Sequence, residues 1–145
     1  KEFEALTDHR PANWDTDQDG MPDWWEKLAG TNPSAADNNE LTDGEYTQLE
    51  RYLNWLAEPH FITSAGNKLT IDLKQYFAGY NQQPVFTLES SIQPQEGKMK
   101  LNKKGILTIS LNKKAADCLI DIKVKATDKD QVASLQRTFH IAITQ

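Results

Sequence analysis

The chain has 145 residues, 38% hydrophobic and 26% charged, which suits one globular core or a small domain with a compact appendage. No apolar run reaches the about 20 residues of a membrane-spanning helix, and a single cysteine, Cys118, excludes an internal disulfide. The net charge of −5 is unevenly distributed along the chain. Residues 1–58 hold 14 acidic and 4 basic side chains, whereas residues 59–145 hold 7 acidic and 12 basic side chains.

This division of charge favours different ligands for the two parts. The acidic part suits a cation, and the mildly basic part favours anionic ligands. Nucleic acid is not expected, because the lysines alternate with other residues and form no helical basic face with interleaved aromatic residues. The chain opens at Lys1 with neither an initiating Met nor a signal peptide, so we interpret it as a segment of a longer protein.

The first clear element is the run Asp15-Thr-Asp-Gln-Asp-Gly-Met-Pro-Asp-Trp-Trp-Glu26. In an EF-hand loop, positions 1, 3, 5, 9 and 12 supply side-chain ligands, position 7 supplies a carbonyl, and position 6 is glycine. The residues at the side-chain positions are Asp15, Asp17, Asp19, Asp23 and Glu26, with Gly20 at the turn and Met21 as the carbonyl. Every position agrees, so the sequence predicts a calcium (Ca²⁺) site and not a solvated acidic turn.

Two prolines shape the expected surroundings of this loop. Pro11 argues against an entering helix, so we expect a loop followed by one helix and not a full hand. Pro22 removes an N–H that would bond to a partner loop, and proline is favoured where a helix begins. The sequence predicts a helix from about Pro22 to Ala29, ended by Gly30.

A second helix is predicted after a turn-rich connection. Thr42-Asp-Gly-Glu45 reads as a capping box, and the expected apolar face consists of Tyr46, Leu49, Leu53 and Leu56. Pro59 ends this helix. Two short helices and a loop offer little core, so an ion is expected to supply part of the stability of this part.

A second calcium loop is only weakly indicated. The frame that starts at Asn39 keeps a glycine and the last carboxylate, but it has Leu41 at the third position. A capped helix is therefore the favoured interpretation. A second ion on Asn39, Asp43 and Glu50 is the alternative.

From His60 onward the hydrophobic pattern has a period of two. The alternating positions are Leu69, Ile71 and Leu73, then Leu107, Ile109 and Leu111, then Ile120, Ile122, Val124 and Ala126, and finally Phe139, Ile141 and Ile143. Residues 84–90 and 98–101 bring the total to six or seven strands. We predict a mainly β protein with a small α part, in which a two-helix calcium-loop subdomain (1–58) precedes an antiparallel immunoglobulin- or cadherin-like β-sandwich (59–145).

No catalytic constellation stands out, so we do not expect this chain to be an enzyme. The histidines His9, His60 and His140 are far apart and lack nearby Ser or Cys motifs. His140 lies between the expected core positions Phe139 and Ile141, so we expect it to face solvent.

The tryptophans allow two interpretations. Packing within the small acidic part is favoured for Trp14, Trp24, Trp25 and Trp55, since that part has few other large apolar side chains. Glycan contact by Trp14, Trp24 and Trp55 is the alternative.

Three segments resemble known families. The loop at residues 15–26, followed by Gly30-Thr-Asn-Pro33, resembles thrombospondin type 3-like calcium repeats. With Asp43-Gly-Glu-Tyr-Thr-Gln-Leu-Glu-Arg-Tyr-Leu-Asn54 it is similar to the C-terminal region of bacterial pectate-lyase-like proteins, and the strand region is similar to dystroglycan-type cadherin-like domains. The resemblance implies calcium ligands at Asp15, Asp17, Asp19, Met21 (through its carbonyl), Asp23 and Glu26.

The resemblance also implies a function. It suggests a non-catalytic, calcium-binding accessory region of a secreted, cell-surface or periplasmic bacterial protein that degrades polysaccharide. The region would act as a joint or spacer, and its partner would be a catalytic domain of the same longer chain. Two alternatives stay open: a carbohydrate-binding module for anionic polysaccharide, using Lys98, Lys100, Lys103, Lys104, Lys113 and Lys114, and a dockerin-like protein-docking module.

Overall fold

A computed structural model describes residues 10–77, 84–130 and 133–145. Its helices are α1 (Asp23–Ala29) and α2 (Gln48–Ala57), and a 3-10 helix spans Leu73–Tyr76. Its strands are β1 (His60–Ser64), β2 (Lys68–Asp72), β3 (Val85–Leu88), β4 (Gly97–Leu101), β5 (Ile106–Leu111), β6 (Cys118–Thr127) and β7 (Ser134–Thr144). The chain divides into two compact units, residues 1–52 and 53–145. Across the described residues, no helix has the length and apolar character that crossing a membrane requires.

The first helix confirms the prediction made from Pro22 and Gly30, whereas residues 1–9, where an entering helix would lie, are outside the described residues. Pro22 is the N-cap in an extended conformation, and Gly30 is the C-cap with a left-handed φ of 84°. The N–H groups of Gly30 and Thr31 both bond to the carbonyl of Glu26, at 2.8 and 3.1 Å. Gly30 ends the helix because glycine adopts this conformation without a Cβ penalty.

The second helix starts later than the sequence predicts. Its capping box is formed by Thr47 and Glu50: the Glu50 N–H donates to Thr47 Oγ1 at 3.1 Å, and the Thr47 N–H donates to Glu50 Oε2 at 2.7 Å. The predicted box at Thr42 is wrong, because Glu45 has a left-handed φ of 68° and the Thr42 N–H bonds to the Tyr46 carbonyl at 2.6 Å. Residues 42–46 therefore close a turn before the helix begins.

The predicted apolar face of α2 is also wrong. Tyr52 and Trp55 are buried, whereas Leu53 is 51% exposed and Leu56 is 43% exposed. The Tyr52 ring lies 5.0 Å from that of Trp25. Aromatic side chains bury more area than leucine, so α2 buries Tyr52 and Trp55 in place of the two leucines.

The second unit is a sandwich of two sheets, as predicted. One sheet has the strand order β1-β7-β6-β3 and the other β2-β5-β4. The core between them contains the alternating positions Ile71, Leu107, Ile109, Leu111, Ile120, Ile122, Val124, Ala126, Phe139, Ile141 and Ile143. The protein is thus mainly β with a small α part, and its sandwich is immunoglobulin-like.

One strand pair departs from the antiparallel expectation. β1 runs parallel to β7, with His60 opposite His140 in the register, while the other pairs are antiparallel. β1 and β7 are separated by the rest of the sandwich. No hairpin turn therefore forces them to run in opposite directions.

His140 is buried, contrary to the expectation that it faces solvent. It is 8% exposed, and its Nδ1 lies 2.6 Å from Asp121 Oδ1. Its Nε2 lies 3.6 Å from Glu58 Oε2, and its N–H bonds to the Pro59 carbonyl at 2.9 Å. The segment that leads into β1 therefore lies over this part of β7.

Candidate metal centre

Three aspartates of the predicted loop converge. Asp15, Asp17 and Asp19 each offer a carboxylate oxygen within 4.8 Å of the others. The Asp19 N–H donates to Asp15 Oδ1 and to Asp17 Oδ1, both at 3.2 Å, and the Gly20 N–H donates to Asp15 Oδ2 at 3.0 Å. Gly20 has a φ of 98°, so the sharp turn at loop position 6 needs glycine.

Met21 follows this turn as a fully buried residue. Its N–H donates to Asp19 Oδ1 at 2.9 Å. The loop backbone is therefore organised by its own carboxylates. One oxygen of Asp17 and one of Asp19, both Oδ2, are buried and receive no hydrogen bond.

Glu26 adds a carboxylate from α1. It is fully buried, and Thr31 Oγ1 donates to its Oε1 at 3.3 Å. Its Oε2 is buried without a hydrogen-bond donor. An ionised carboxylate is costly to bury unless a cation or donors compensate it, and this oxygen has no donor.

Asp37 is a member of the cluster that the sequence did not reveal. A carboxylate oxygen of Asp37 lies within 4.8 Å of oxygens from both Asp19 and Glu26. The Asn32 N–H holds Asp37 Oδ2 at 2.9 Å, while Oδ1 is buried and receives no hydrogen bond. The turn at 30–37 folds the chain back to α1. In the sequence, the one indication of this ligand is a single carboxylate in a turn that contains Pro and Asn.

The proximity of these acids changes their proton affinity. Burial, followed by the charges of Asp19 and Asp17, raises the pKa of Glu26 from 4.5 to about 7. Burial is also the largest cause of the raised pKa of Asp17, with added repulsion from Asp19 and Asp15. Both shifts report a site that disfavours negative charge.

Asp23 has a different position from the other loop carboxylates. Its Oδ1 accepts the Thr16 N–H at 2.8 Å, and its Oδ2 accepts the Thr16 hydroxyl at 2.7 Å. These two bonds lower the pKa of Asp23. It therefore ties the start of the loop to the first turn of α1 and belongs to neither group of converging carboxylates.

The residues of the alternative second calcium site are exposed, and one of them caps a helix. Asn39, Asp43 and Glu50 are exposed, and Glu50 Oε2 accepts the Thr47 N–H and hydroxyl, at 2.7 and 3.0 Å. Asp43 and Glu50 belong to neither of the converging groups found in the described part of the chain.

The three tryptophans of the glycan alternative differ in how far they are buried. Trp55 is 4% exposed, and its ring lies 4.3 Å from that of His60. Trp14 is half-buried under the Arg10 guanidinium at 3.8 Å, and Trp24 is half-buried as well. Trp55 leaves little ring surface for a sugar.

The donor set fits a hard cation. The buried carboxylate oxygens without donors belong to Asp17, Asp19, Glu26 and Asp37, and both converging groups consist of Asp and Glu alone. Carboxylate oxygens suit Ca²⁺ and Mg²⁺, whereas zinc and copper sites favour His and Cys. Several carboxylates in an irregular loop favour calcium, because magnesium demands near-ideal octahedral geometry.

Comparisons with known proteins leave the family open. No protein-family model matches the chain, and no curated protein matches it. Among solved structures, the titin M3 domain is similar over 61% of this chain and 90% of its own, with a TM-score of 0.36 and 12% identity. A nucleoside hydrolase-related hypothetical protein from Saccharophagus degradans, associated with carbohydrate metabolism, is similar over 60% of this chain and 22% of its own, with a TM-score of 0.35 and 12% identity.

Proposed function

We propose that the first unit binds calcium and that the ion has a structural role. The observation that carries this proposal is Glu26: it is fully buried, its Oε2 receives no hydrogen bond, and it converges with Asp19 and Asp37. Within the described residues, no Lys, Arg or His nitrogen lies within 4.0 Å of these carboxylates. A bound cation would compensate these charges.

Asp15, Asp17, Asp19 and Glu26 would hold the ion, with the Met21 carbonyl at loop position 7 and Asp37 as an added ligand. Asp23 would act at position 9 through water or by bracing the loop, since its oxygens already bond to Thr16. In this proposal calcium offsets the repulsion between the carboxylates and ties the turn at 30–37 to α1. The unit would be ordered by the ion and would not act as a sensor.

The wider role rests on the resemblance of residues 15–33 and 43–54 to the C-terminal region of bacterial pectate-lyase-like proteins. We place the chain as a non-catalytic spacer or joint in a secreted bacterial protein that degrades polysaccharide. The dockerin-like alternative has less support, because Glu50, the last carboxylate of the second loop frame, serves as a helix cap.

Thermal unfolding of the full chain tests the structural role. At a calcium concentration about 100-fold above Kd, mass action adds about 2.7 kcal/mol to the stability of the state that binds it. The unfolding temperature of the first unit should therefore rise by roughly 10–20 °C and fall again when a chelator is added. Magnesium at the same concentration should have a smaller effect. An unfolding temperature that does not change when calcium is added would contradict the proposal.

A further inference from the structure

The start of α2 takes its hydrogen-bond partners from two parts of the chain. The first backbone N–H groups of a helix have no acceptor within the helix itself. Here the capping box satisfies two of them, those of Thr47 and Glu50, at 2.7 and 3.1 Å. The N–H groups between these two, on Gln48 and Leu49, bond instead to carbonyl groups of the segment 38–40. The first turn of α2 is therefore completed by a segment outside the helix.

This segment directly follows Asp37, whose carboxylate converges with the metal cluster. The Gln48 N–H donates to the Glu40 carbonyl at 2.9 Å, and the Leu49 N–H donates to the Asn38 carbonyl at 3.0 Å. The Glu40 N–H in turn donates to the Asp37 carbonyl at 2.8 Å. One short stretch of chain thus presents a carboxylate to the metal cluster and two carbonyl groups to α2.

The calcium loop at residues 15–26 contacts the same turn of α2. A Cβ built on Gly20 would lie 3.4 Å from Leu49 Cδ1, so the Leu49 side chain packs against the turn at loop position 6. The start of α2 therefore contacts both parts of the chain that bring carboxylates to the cluster, the loop with Asp19 and the turn with Asp37.

Other contacts hold α2 to α1 without any carboxylate. Arg51 Nη1 donates to the Ala29 carbonyl at 3.2 Å, and the Arg51 guanidinium lies 5.4 Å from the centre of the Trp25 ring. The Tyr52 ring lies 5.0 Å from the same ring. We expect these contacts to persist without an ion. An effect of the ion on α2 is therefore expected in its first turn.

We propose that calcium also controls the first turn of α2, a proposal that rests on the proposed function of the first unit. With calcium, the ion holds Asp37 to Asp19 and Glu26, and the two carbonyl groups stay at the start of α2. Without calcium these three carboxylates repel one another, and the turn that carries Asp37 moves away. The N–H groups of Gln48 and Leu49 then lose their acceptors, and the first turn of α2 opens.

The helix that responds in this way is the one through which the chain enters the second unit. Residues 48–52 of α2 belong to the first unit, and residues 53–57 belong to the second. Calcium would therefore determine how much of this connecting helix is folded.

Hydrogen exchange of the full chain at pH 7.5, followed by NMR, tests the coupling directly. Saturating calcium should slow the exchange of the Gln48 and Leu49 N–H groups by at least about tenfold, whereas that of Ile109 in β5 should change by less than about twofold. Asp37→Asn should lessen the slowing, because a neutral side chain holds the turn to the ion less firmly, and Asp43→Asn should not.

Two outcomes of this measurement separate the coupling from calcium binding itself. If calcium binds but the Gln48 and Leu49 N–H groups slow no more than that of Ile109, the coupling is overturned and the proposed function stands. If calcium titration shows no saturable binding, the proposed function is overturned and the coupling with it.

The reverse effect gives a second test, because coupling between two sites is reciprocal. Thr47→Ala removes the hydroxyl that caps α2 and leaves every carboxylate in place, so it should weaken calcium binding by about two- to fivefold. Thr42→Ala is the control and should bind calcium like the original chain. Circular dichroism should show that both variants fold. Equal calcium affinities of the two variants would contradict the coupling.

Discussion

A carboxylate oxygen of Glu26 lies within 4.8 Å of a carboxylate oxygen of Asp37. Glu26 belongs to α1, whereas Asp37 lies beyond the helix in a turn held by its bond to the Asn32 N–H. Two acids would separate in solution, but here each keeps one buried oxygen without a donor. In the proposed function, a shared cation would offset the repulsion between them.

Glu26→Gln should have opposite effects with and without calcium. At pH 8 without calcium the substitution removes a buried negative charge next to Asp19 and Asp17, so the free energy of unfolding should stay equal or rise by about 1 kcal/mol. With saturating calcium it should fall below that of the original chain, because a ligand is lost. Urea unfolding followed by tryptophan fluorescence measures both values. A loss of the same size in both buffers would indicate a packing defect and not a lost ligand.

Asp37→Asn should weaken calcium binding by about tenfold, since it removes the charge of a carboxylate that contacts the cluster. Asp43→Asn is the matched control, because Asp43 is exposed and lies outside both converging groups. Calcium titration of the two variants gives the comparison. Equal affinities would remove Asp37 from the site.

The pH dependence of stability should change sign when calcium binds. Without calcium, the pKa of Glu26 is about 7 in the fold against 4.5 ordinarily, so the folded state holds the proton more tightly. The stabilisation is present below about pH 4.5 and is lost as the pH rises through 7. With calcium, the proton and the ion compete for Glu26, and the calcium affinity should rise over the same window.

Denaturant unfolding at pH 5, 6 and 7, in calcium-free and calcium-containing buffer, measures this dependence. Asp23 and Glu50 have lowered pKa values, so they are already ionised above pH 5 and contribute little to the slope. In Glu26→Gln the calcium-free slope should be much smaller. A slope that this substitution leaves unchanged would assign the effect to other groups.

Thr47→Ala should cost about 1 kcal/mol of stability, because it removes the side-chain cap of α2. Thr42→Ala is the matched control, since the bond that the Thr42 hydroxyl accepts among the described residues is a long one, from the Gly44 N–H at 3.3 Å. We expect a cost below about 0.5 kcal/mol there. Urea unfolding of both variants decides the point, and a larger loss at Thr42 would mean that the helix begins earlier.

Much of the fold was predictable because the hydrophobic pattern and the turn residues of these segments indicate the same secondary structure. The alternating positions of β5 and β6 follow from one strand face packing in the core, and Gly30 ends α1 where its backbone must be left-handed. The two Thr–Glu pairs at Thr42 and Thr47 fit a capping box equally well in sequence. The left-handed conformation of Glu45 decided between them, and it depends on the closed turn.

The missed features depend on contacts between distant parts of the sequence. His140 follows the alternation of β7, but Glu58 and Pro59 lie against it, so the strand is covered on both faces. Asp37 lies outside the twelve-residue loop pattern, and only the folding back of the turn at 30–37 brings it to Glu26. A spacing rule for one loop cannot include a ligand that a later turn supplies.

Calorimetric titration of calcium into the calcium-free full chain at pH 7.5 tests the central claim most directly. The account predicts saturable binding in the first unit with a Kd on the order of 0.1–1 mM, abolished or strongly weakened by Glu26→Gln and accompanied by proton release because the pKa of Glu26 is raised. Absence of saturable binding at millimolar calcium, or unchanged binding in Glu26→Gln, would contradict it.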